Sequence, residues 1–244
     1  WHGNKNAYLK SKLKIFFHQK KNGIAIINHK LKKFFVENKF LSKLIIPNYK
    51  NYEKIKLKIN NKYLTSNINN ENMGFVYTFA KLIGIKQKSF IDTINTFKGL
   101  PHRFEFFLKR NNVTFINDSK ATSFEASQYA LASAKNIYWI LGGLPKKGDK
   151  IKLGKFKKNI IKCYLIGKNI NFFKNQIKGK INFLITKNLK NSIIQIFRDI
   201  KSQKKTNKTI LLSPAAASFD QYSNFESRGE EFKILCRKYV RKLI

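Results

Sequence analysis

From Val113 onward the chain alternates short, largely apolar runs with helical stretches, and this rhythm limits the fold more than any other feature. Val113–Ile116, Ile137–Leu141, Cys163–Ile166, Ile181–Ile185 and Ile210–Leu212 read as strands; Phe124–Ala134 and Ser192–Ile200 read as helices between them. Short runs this continuous in Ile, Leu and Val suit strands buried on both faces. Strands buried that way, joined by helices, imply right-handed crossovers in a largely parallel, doubly wound α/β sheet. A last helix, from Glu226 to about Leu243, closes the chain.

Upstream the pattern is different. Asn6 to Gln19 sets Tyr8, Leu9, Leu13, Ile15 and Phe16 on a loose helical face, and Ile24–Ile27 reads as a strand. The alternation Ile55, Leu57, Ile59, followed by Asn60-Asn61 and then Tyr63-Leu64, predicts a hairpin. Helices are expected over Asn72–Ile83 and Ser89–Phe97. Gly99-Leu100-Pro101 then breaks the pattern, which places a boundary between residues 1–98 and 99–244. The chain opens at Trp1 and its single Met is Met73, so the start is expected to be a truncation.

Fifty Lys and Arg against 13 Asp and Glu give a formal net charge of +37, which by itself would suit a polyanionic partner. The distribution argues otherwise. Lysines are scattered through every segment, and apparent clusters such as Lys146-Lys147, Lys157-Lys158 and Lys204-Lys205 are only pairs, so residue-usage drift explains the charge better than a nucleic-acid face. A hydrophobic share of 43%, with 22 Phe, points to a folded soluble protein. Cys163 and Cys236 are too few for a disulfide framework and lack zinc-ligand spacing, which fits a reducing cytoplasm. No apolar run approaches the ~20 residues that a membrane helix needs.

Ligands of an open parallel sheet gather beyond the strands' carboxyl ends. Three loops rich in small and polar residues fall there: Asn117-Asp118-Ser119-Lys120-Ala121-Thr122, Gly142-Gly143-Leu144-Pro145-Lys146 and Ser213-Pro214-Ala215-Ala216-Ala217-Ser218. Each also has a plain reading. Asp118 or Thr122 would serve as a helix cap, and Gly142-Gly143 as a tight turn. Gly143 to Lys150 is a near miss for a phosphate loop, but Asp149 stands where the lysine belongs and Pro145 removes an N–H, so it is rejected as one.

Together, Gly99-Leu100-Pro101-His102-Arg103-Phe104-Glu105, Ile116 to Thr122 and Leu141-Gly142-Gly143 resemble the start of the C-terminal domain of the Mur ligases. Leu211 to Gln221 and Asn224-Phe225-Glu226-Ser227-Arg228-Gly229 look like the D-glutamate-adding branch of that family, and Gly3 to Phe16 is similar to the late part of its central, ATP-binding domain. The resemblance implies an ATP- and Mg2+-dependent ligase of peptidoglycan precursor synthesis, joining D-glutamate to UDP-N-acetylmuramoyl-L-alanine through an acyl phosphate. It would be cytoplasmic and monomeric. By the same resemblance Asn69, Asn72, Arg103 and Asp118 match positions around the nucleotide, and Lys120 one beside the reacting phosphate. Thr122, Lys146, Ser218, Phe219 and the backbone at Phe225 match the D-glutamate pocket. Lys12 matches a lysine whose carbamylated form binds magnesium in this family. Two departures stand out. Ile68 replaces a family histidine, and the family's phosphate loop, its magnesium-binding Glu and His, and its UDP-binding domain would all precede Trp1; His2 is not that histidine. This stretch alone is therefore expected to be inactive. A sibling or folate-adding ligase, or a basic nucleic-acid-binding module, are the competing readings.

Overall fold

A computed structural model describes residues 5–61, 63–66, 69–201 and 206–241. His2, Gly3, Ile68, Lys204, Lys205 and Leu243 lie outside the described residues. The chain divides into two compact units, Trp1–Lys98 and Gly99–Ile244.

The first unit is mostly helical. Its elements are α1 (Lys5–Phe17), β1 (Ile24–Ile26), α2 (Lys32–Glu37), β2 (Lys43–Ile45), α3 (Tyr49–Lys56), α4 (Asn70–Leu82) and α5 (Gln87–Thr96). β1 and β2 pair in parallel. Beside them Ala25, Ile27 and Phe35 are buried, with Phe16, Phe40 and Leu44 packed on. A second core joins Tyr52, Ile55 and Ile59 to Met73, Tyr77 and Ala80 of α4 and Phe90 of α5. The expected hairpin is overturned, because Ile55 closes α3 instead of entering a strand. Tyr52, Ile55 and Ile59 are buried while Leu57 is 92% exposed. Spacings of three and four from an Asn48 side-chain cap are helical, and two of those residues also fall two apart from Leu57, which mimics alternation.

The second unit is built on a six-stranded sheet in the order β3-β4-β8-β5-β6-β7. Its elements are β3 (Glu105–Arg110), β4 (Val113–Asn117), α6 (Phe124–Ser133), β5 (Ile137–Gly142), β6 (Ile160–Ile166), α7 (Ile170–Ile177), β7 (Phe183–Lys187), α8 (Leu189–Lys201), β8 (Lys208–Leu212) and α9 (Phe225–Val240). All pairings are parallel except β3 with β4. The expected doubly wound α/β fold is what forms. β3 was not foreseen: it is an edge strand with Phe106 exposed and a register shift between Phe106 and Leu108, so no clean alternation marks it. α7 is likewise an addition, although Ile170, Phe173 and Ile177 fall at helical spacing and the last two are buried.

Alternate residues of the central strands serve opposite faces. Phe115, Tyr138, Ile140, Tyr164, Ile210 and Leu212 pack under α8 and α9, against Ile193, Ile196, Phe232 and Cys236. Trp139 points the other way, toward Phe124 of α6, with 6.4 Å between ring centroids. The chain runs β4 to β5 by way of α6, continues outward to β7, and then returns through α8 to insert β8 between β4 and β5. That return is the topological switch. It leaves the carboxyl ends of β4, β8 and β5 side by side, where such a fold opens its ligand crevice.

Candidate active site

The three loops named from the sequence leave β4, β5 and β8, which are neighbours, so they share one rim. Backbone bonds fasten them together. Asp118 N–H donates to the Leu212 carbonyl (2.7 Å) and Gly142 N–H to the Pro214 carbonyl (3.0 Å). Leu144 and Ala217 exchange two bonds as an isolated antiparallel bridge, at 2.8 and 2.9 Å. Lys146 sits two residues beyond that bridge and Ser218 one, so the bridge sets both. At Gly143, φ is 134°, and a Cβ there would stand 2.3 Å from the Ala217 carbonyl oxygen. Only glycine lets the strands' loops approach this closely.

Buried polar side chains do the rest. Asp118, on β4's exit, accepts from Phe104 N–H (3.0 Å) and from the Ser213 hydroxyl (2.7 Å). Burial pushes its carboxyl up to about 7, although Ser213, the Phe104 amide and the Arg103 charge all pull it down. Arg228 of α9, 1% exposed, donates from Nε to the Ser119 hydroxyl (2.9 Å) and from Nη2 to the Ser119 carbonyl (2.7 Å). The Ser119 hydroxyl donates in turn to the Phe225 carbonyl (2.8 Å). Burial lowers the guanidinium to about 10, with Asp220 and Tyr222 opposing, and its buried Nη1 has no hydrogen-bond partner.

A second network anchors the start of the unit. Asn117 Oδ1 accepts from Ser119 N–H (3.2 Å), which fixes the amide's orientation and turns Nδ2 toward His102 Nδ1 (2.9 Å) and Glu105 (3.0 Å). His102 Nδ1 must then be an acceptor, leaving the ring proton on Nε2, 3.4 Å from Glu230. Lys233 joins Glu105 (3.3 Å) and Glu230 (2.7 Å). Burial pulls the Lys233 ammonium down, but its bonds to Glu230 and Glu105 outweigh this and raise it. Gly229 lets α9 close on the imidazole, since a Cβ there would lie 2.2 Å from His102 Nδ1.

The predicted residues divide in two groups. Thr122 is half-buried, Lys120 and Lys146 exposed, Ser218 buried, and Phe225 half-buried at the start of α9; all belong to the fastened rim. Arg103 is exposed and its backbone N–H donates to Leu100 (3.2 Å). Phe219 is 70% exposed. In the first unit, Asn69 is buried and its amide donates to the Tyr63 carbonyl (2.8 Å) and the Ser66 hydroxyl (3.4 Å) while accepting from Asn72 (3.3 Å). Asn72 is exposed. Lys12 is exposed on α1, its ammonium 5.6 Å from the Tyr8 ring centroid. Among the described residues no three His, Cys, Asp or Glu side chains cluster as a metal site would require. Nor is any described helix long and apolar enough to cross a membrane.

The residues that build the site, as distinct from those that face a ligand, were missed. Arg228, Asn117, Ser213 and Ser119 stood inside the quoted motifs. Nothing in the sequence separates a buried arginine on a helix from a solvated one, and Arg228 is recognisable only once α9 is laid against the β4 loop.

No family model matches the chain. It is similar to the UDP-N-acetylmuramoylalanine–D-glutamate ligases of a Wolbachia endosymbiont of Brugia malayi (42% identity, 77% of this chain, 38% of that protein) and of Rickettsia conorii (37%, 72% and 35%). The corresponding protein of Rickettsia prowazekii is 31% identical over 96% of this chain and 57% of its own length. The chain thus spans between 35% and 57% of these relatives. Among solved structures, a MurF from Acinetobacter baumannii aligns with TM-score 0.62 at 11% identity, over 95% of this chain and 56% of that one. A bifunctional folylpolyglutamate synthase/dihydrofolate synthase from Yersinia pestis aligns with TM-score 0.58 at 11% identity, over 96% and 58%. At that identity the two structures speak for the fold alone.

Proposed function

Because the chain belongs to the Mur ligase family, we propose that it forms the D-glutamate-binding portion of an ATP-dependent ligase acting on UDP-N-acetylmuramoyl-L-alanine. The observation that carries this reading is the fastening of the β4, β5 and β8 loops into one rim by the Leu144–Ala217 bridge and the Asp118–Ser213 bond. D-Glutamate is a small dianion whose amine must stay free to attack. Lys146, exposed on the β5 loop, would supply one cation, while the Thr122 and Ser218 hydroxyls and the Phe225 backbone would supply neutral donors, so both carboxylates would be held without a charge that would trap the amine. Phe219, largely exposed and next to Ser218 in the chain, would be a further contact for D-glutamate.

A carboxylate is a poor electrophile until phosphoryl transfer gives it a leaving group, and the charge that gathers on the acyl phosphate must be met by cations. Lys120 is the candidate in this unit. Arg103, exposed beside it, and Asp118, whose oxygens keep further lone pairs, would meet the nucleotide. Asn69 and Asn72 are the first unit's contribution to ATP, Asn69 acting mainly by shaping the loop before α4. Mg2+ is part of the proposed reaction, and Lys12, if carbamylated, would offer it an oxygen; the described residues supply no cluster to complete such a site. The protein would work as a cytoplasmic monomer in peptidoglycan precursor synthesis.

The test is phosphate release by the complete protein that contains this chain, measured with a panel of amino acids and acceptors. Release should require both D-glutamate and UDP-N-acetylmuramoyl-L-alanine, and the present stretch alone should be silent. Release driven instead by a diamino acid, or by a folate acceptor with L-glutamate, would move the chain to a sibling activity.

A further inference from the structure

Lysine is the commonest cation in this chain, and most of its ammonium groups face water. Lys120 Nζ lies 3.7 Å from the centroid of the Phe225 ring. By contrast, the ammonium-over-ring contacts of Lys12, Lys155 and Lys162 are 5.6 to 5.8 Å. The ring beneath Lys120 is also held from two sides. His102 meets it edge to face at 6.0 Å, and the Phe225 carbonyl is fixed by the Ser119 hydroxyl, which accepts one bond from Arg228 while the Ser119 carbonyl accepts a second. Lys120 is tied at its other end, where its backbone N–H donates to the His102 carbonyl (3.0 Å). A flexible four-carbon side chain is thereby held at both ends while it remains exposed.

We propose that the Phe225 ring is a positioning residue for Lys120: it seats the ammonium over its face so that the charge already stands where an anionic phosphoryl group will develop. The role of the seated lysine rests on the ligase reading above; the seat itself does not. A ring face attracts a cation without satisfying its three N–H donors, so the seated ammonium keeps donors free for an arriving phosphate. Freezing the side chain beforehand removes ordering that would otherwise be required in the transition state. The ring therefore serves the rate of the chemical step, whereas D-glutamate is met by the same residue's backbone. Arg228 and Ser119 act at one further remove, by holding the ring's backbone.

The experiment is NMR of this chain after 13C reductive methylation of its lysines, which preserves their charge, with the Lys120 signal assigned by its loss in Lys120→Arg. Ring current should move the Lys120 methyl signal upfield of the bulk lysines in the wild type and in Phe225→Tyr, and Phe225→Leu should return it to them. A wild-type signal already among the bulk lysines, or one unmoved by Phe225→Leu, overturns the seat, and the wild-type spectrum decides even if the leucine variant does not fold. In the complete protein Phe225→Leu should lower kcat roughly two- to fivefold with KM for D-glutamate little changed, and Phe225→Tyr should restore it. Equal kcat for Leu and Phe overturns the positioning role. Were the complete protein not to use D-glutamate at all, the ligase reading would fail while the upfield signal still stood.

Discussion

The two units use polar side chains differently. In the second, buried groups bridge residues far apart in sequence: Asp118 with Ser213 across 95 positions, Ser119 with Phe225 across 106, Arg228 with Ser119 across 109. In the first, long-range side-chain bonds also occur, as where Asn61 donates to the Ile94 and Phe97 carbonyls, but the candidate Asn69 reaches only residues three to six positions away and Lys12 stands exposed beside Tyr8. A polar group buried against a distant loop specifies tertiary structure, because leaving it unpaired costs more than the bond contributes. A local bond specifies a turn. The rim of the second unit is thus fastened by its fold, while Asn69 and Lys12 make local contacts.

The comparison breaks most readily at Arg228. Arg228→Met should destabilise the second unit by about 2 kcal/mol or more, since it removes two charge-assisted bonds to Ser119. Urea denaturation followed by the fluorescence of Trp139, buried in that unit's sheet, would read it directly. A loss below about 1 kcal/mol would mean the arginine is merely accommodated.

Asp118 sharpens the comparison through pH. Its carboxyl is raised to about 7 from an ordinary value near 3.8, so the folded state binds the proton more tightly than the unfolded chain does. The associated stability is full below about pH 4 and is lost as pH rises through about 7. Asp118→Asn should keep both bonds, because the Ser213 hydroxyl can turn to accept, and should remove that decline. A wild type and variant that run parallel between pH 4 and 8 would show that Asp118 is ionised throughout.

Smallest is the effect expected in the first unit. Asn69→Ala should cost about 1 kcal/mol, the worth of a local side-chain bond, and Lys12→Gln should stay within about 0.5 kcal/mol. Larger losses, measured by urea denaturation followed by far-ultraviolet circular dichroism, would mean that Asn69 and Lys12 carry more than their local contacts.

Legibility in the sequence followed the same division. The sheet could be read because strands buried on both faces must be apolar throughout, and the rim because strand ends leave polar residues at intervals set by topology. β3 could not, since an edge strand with one wet face and a register shift keeps no period. The false hairpin shows the converse: Ile55 and Ile59 satisfy a period of two and a spacing of four alike, and packing against α4 decides for the helix. Thr122, Lys146 and Ser218 were named from motifs, whereas His102, Asn117 and Arg228 become meaningful only when α9 and β4 are brought together.

In the proposed function, the β4, β5 and β8 loops together grip a doubly negative amino acid. Titrating D-glutamate into the 15N-labelled chain at millimolar concentration tests it most directly. Saturable shifts should appear together at the backbone amides of Thr122, Lys146, Ser218 and Phe225, weaken with L-glutamate and vanish in Lys146→Gln. Shifts scattered over the lysine-rich surface, alike for both enantiomers and abolished by salt, would contradict it.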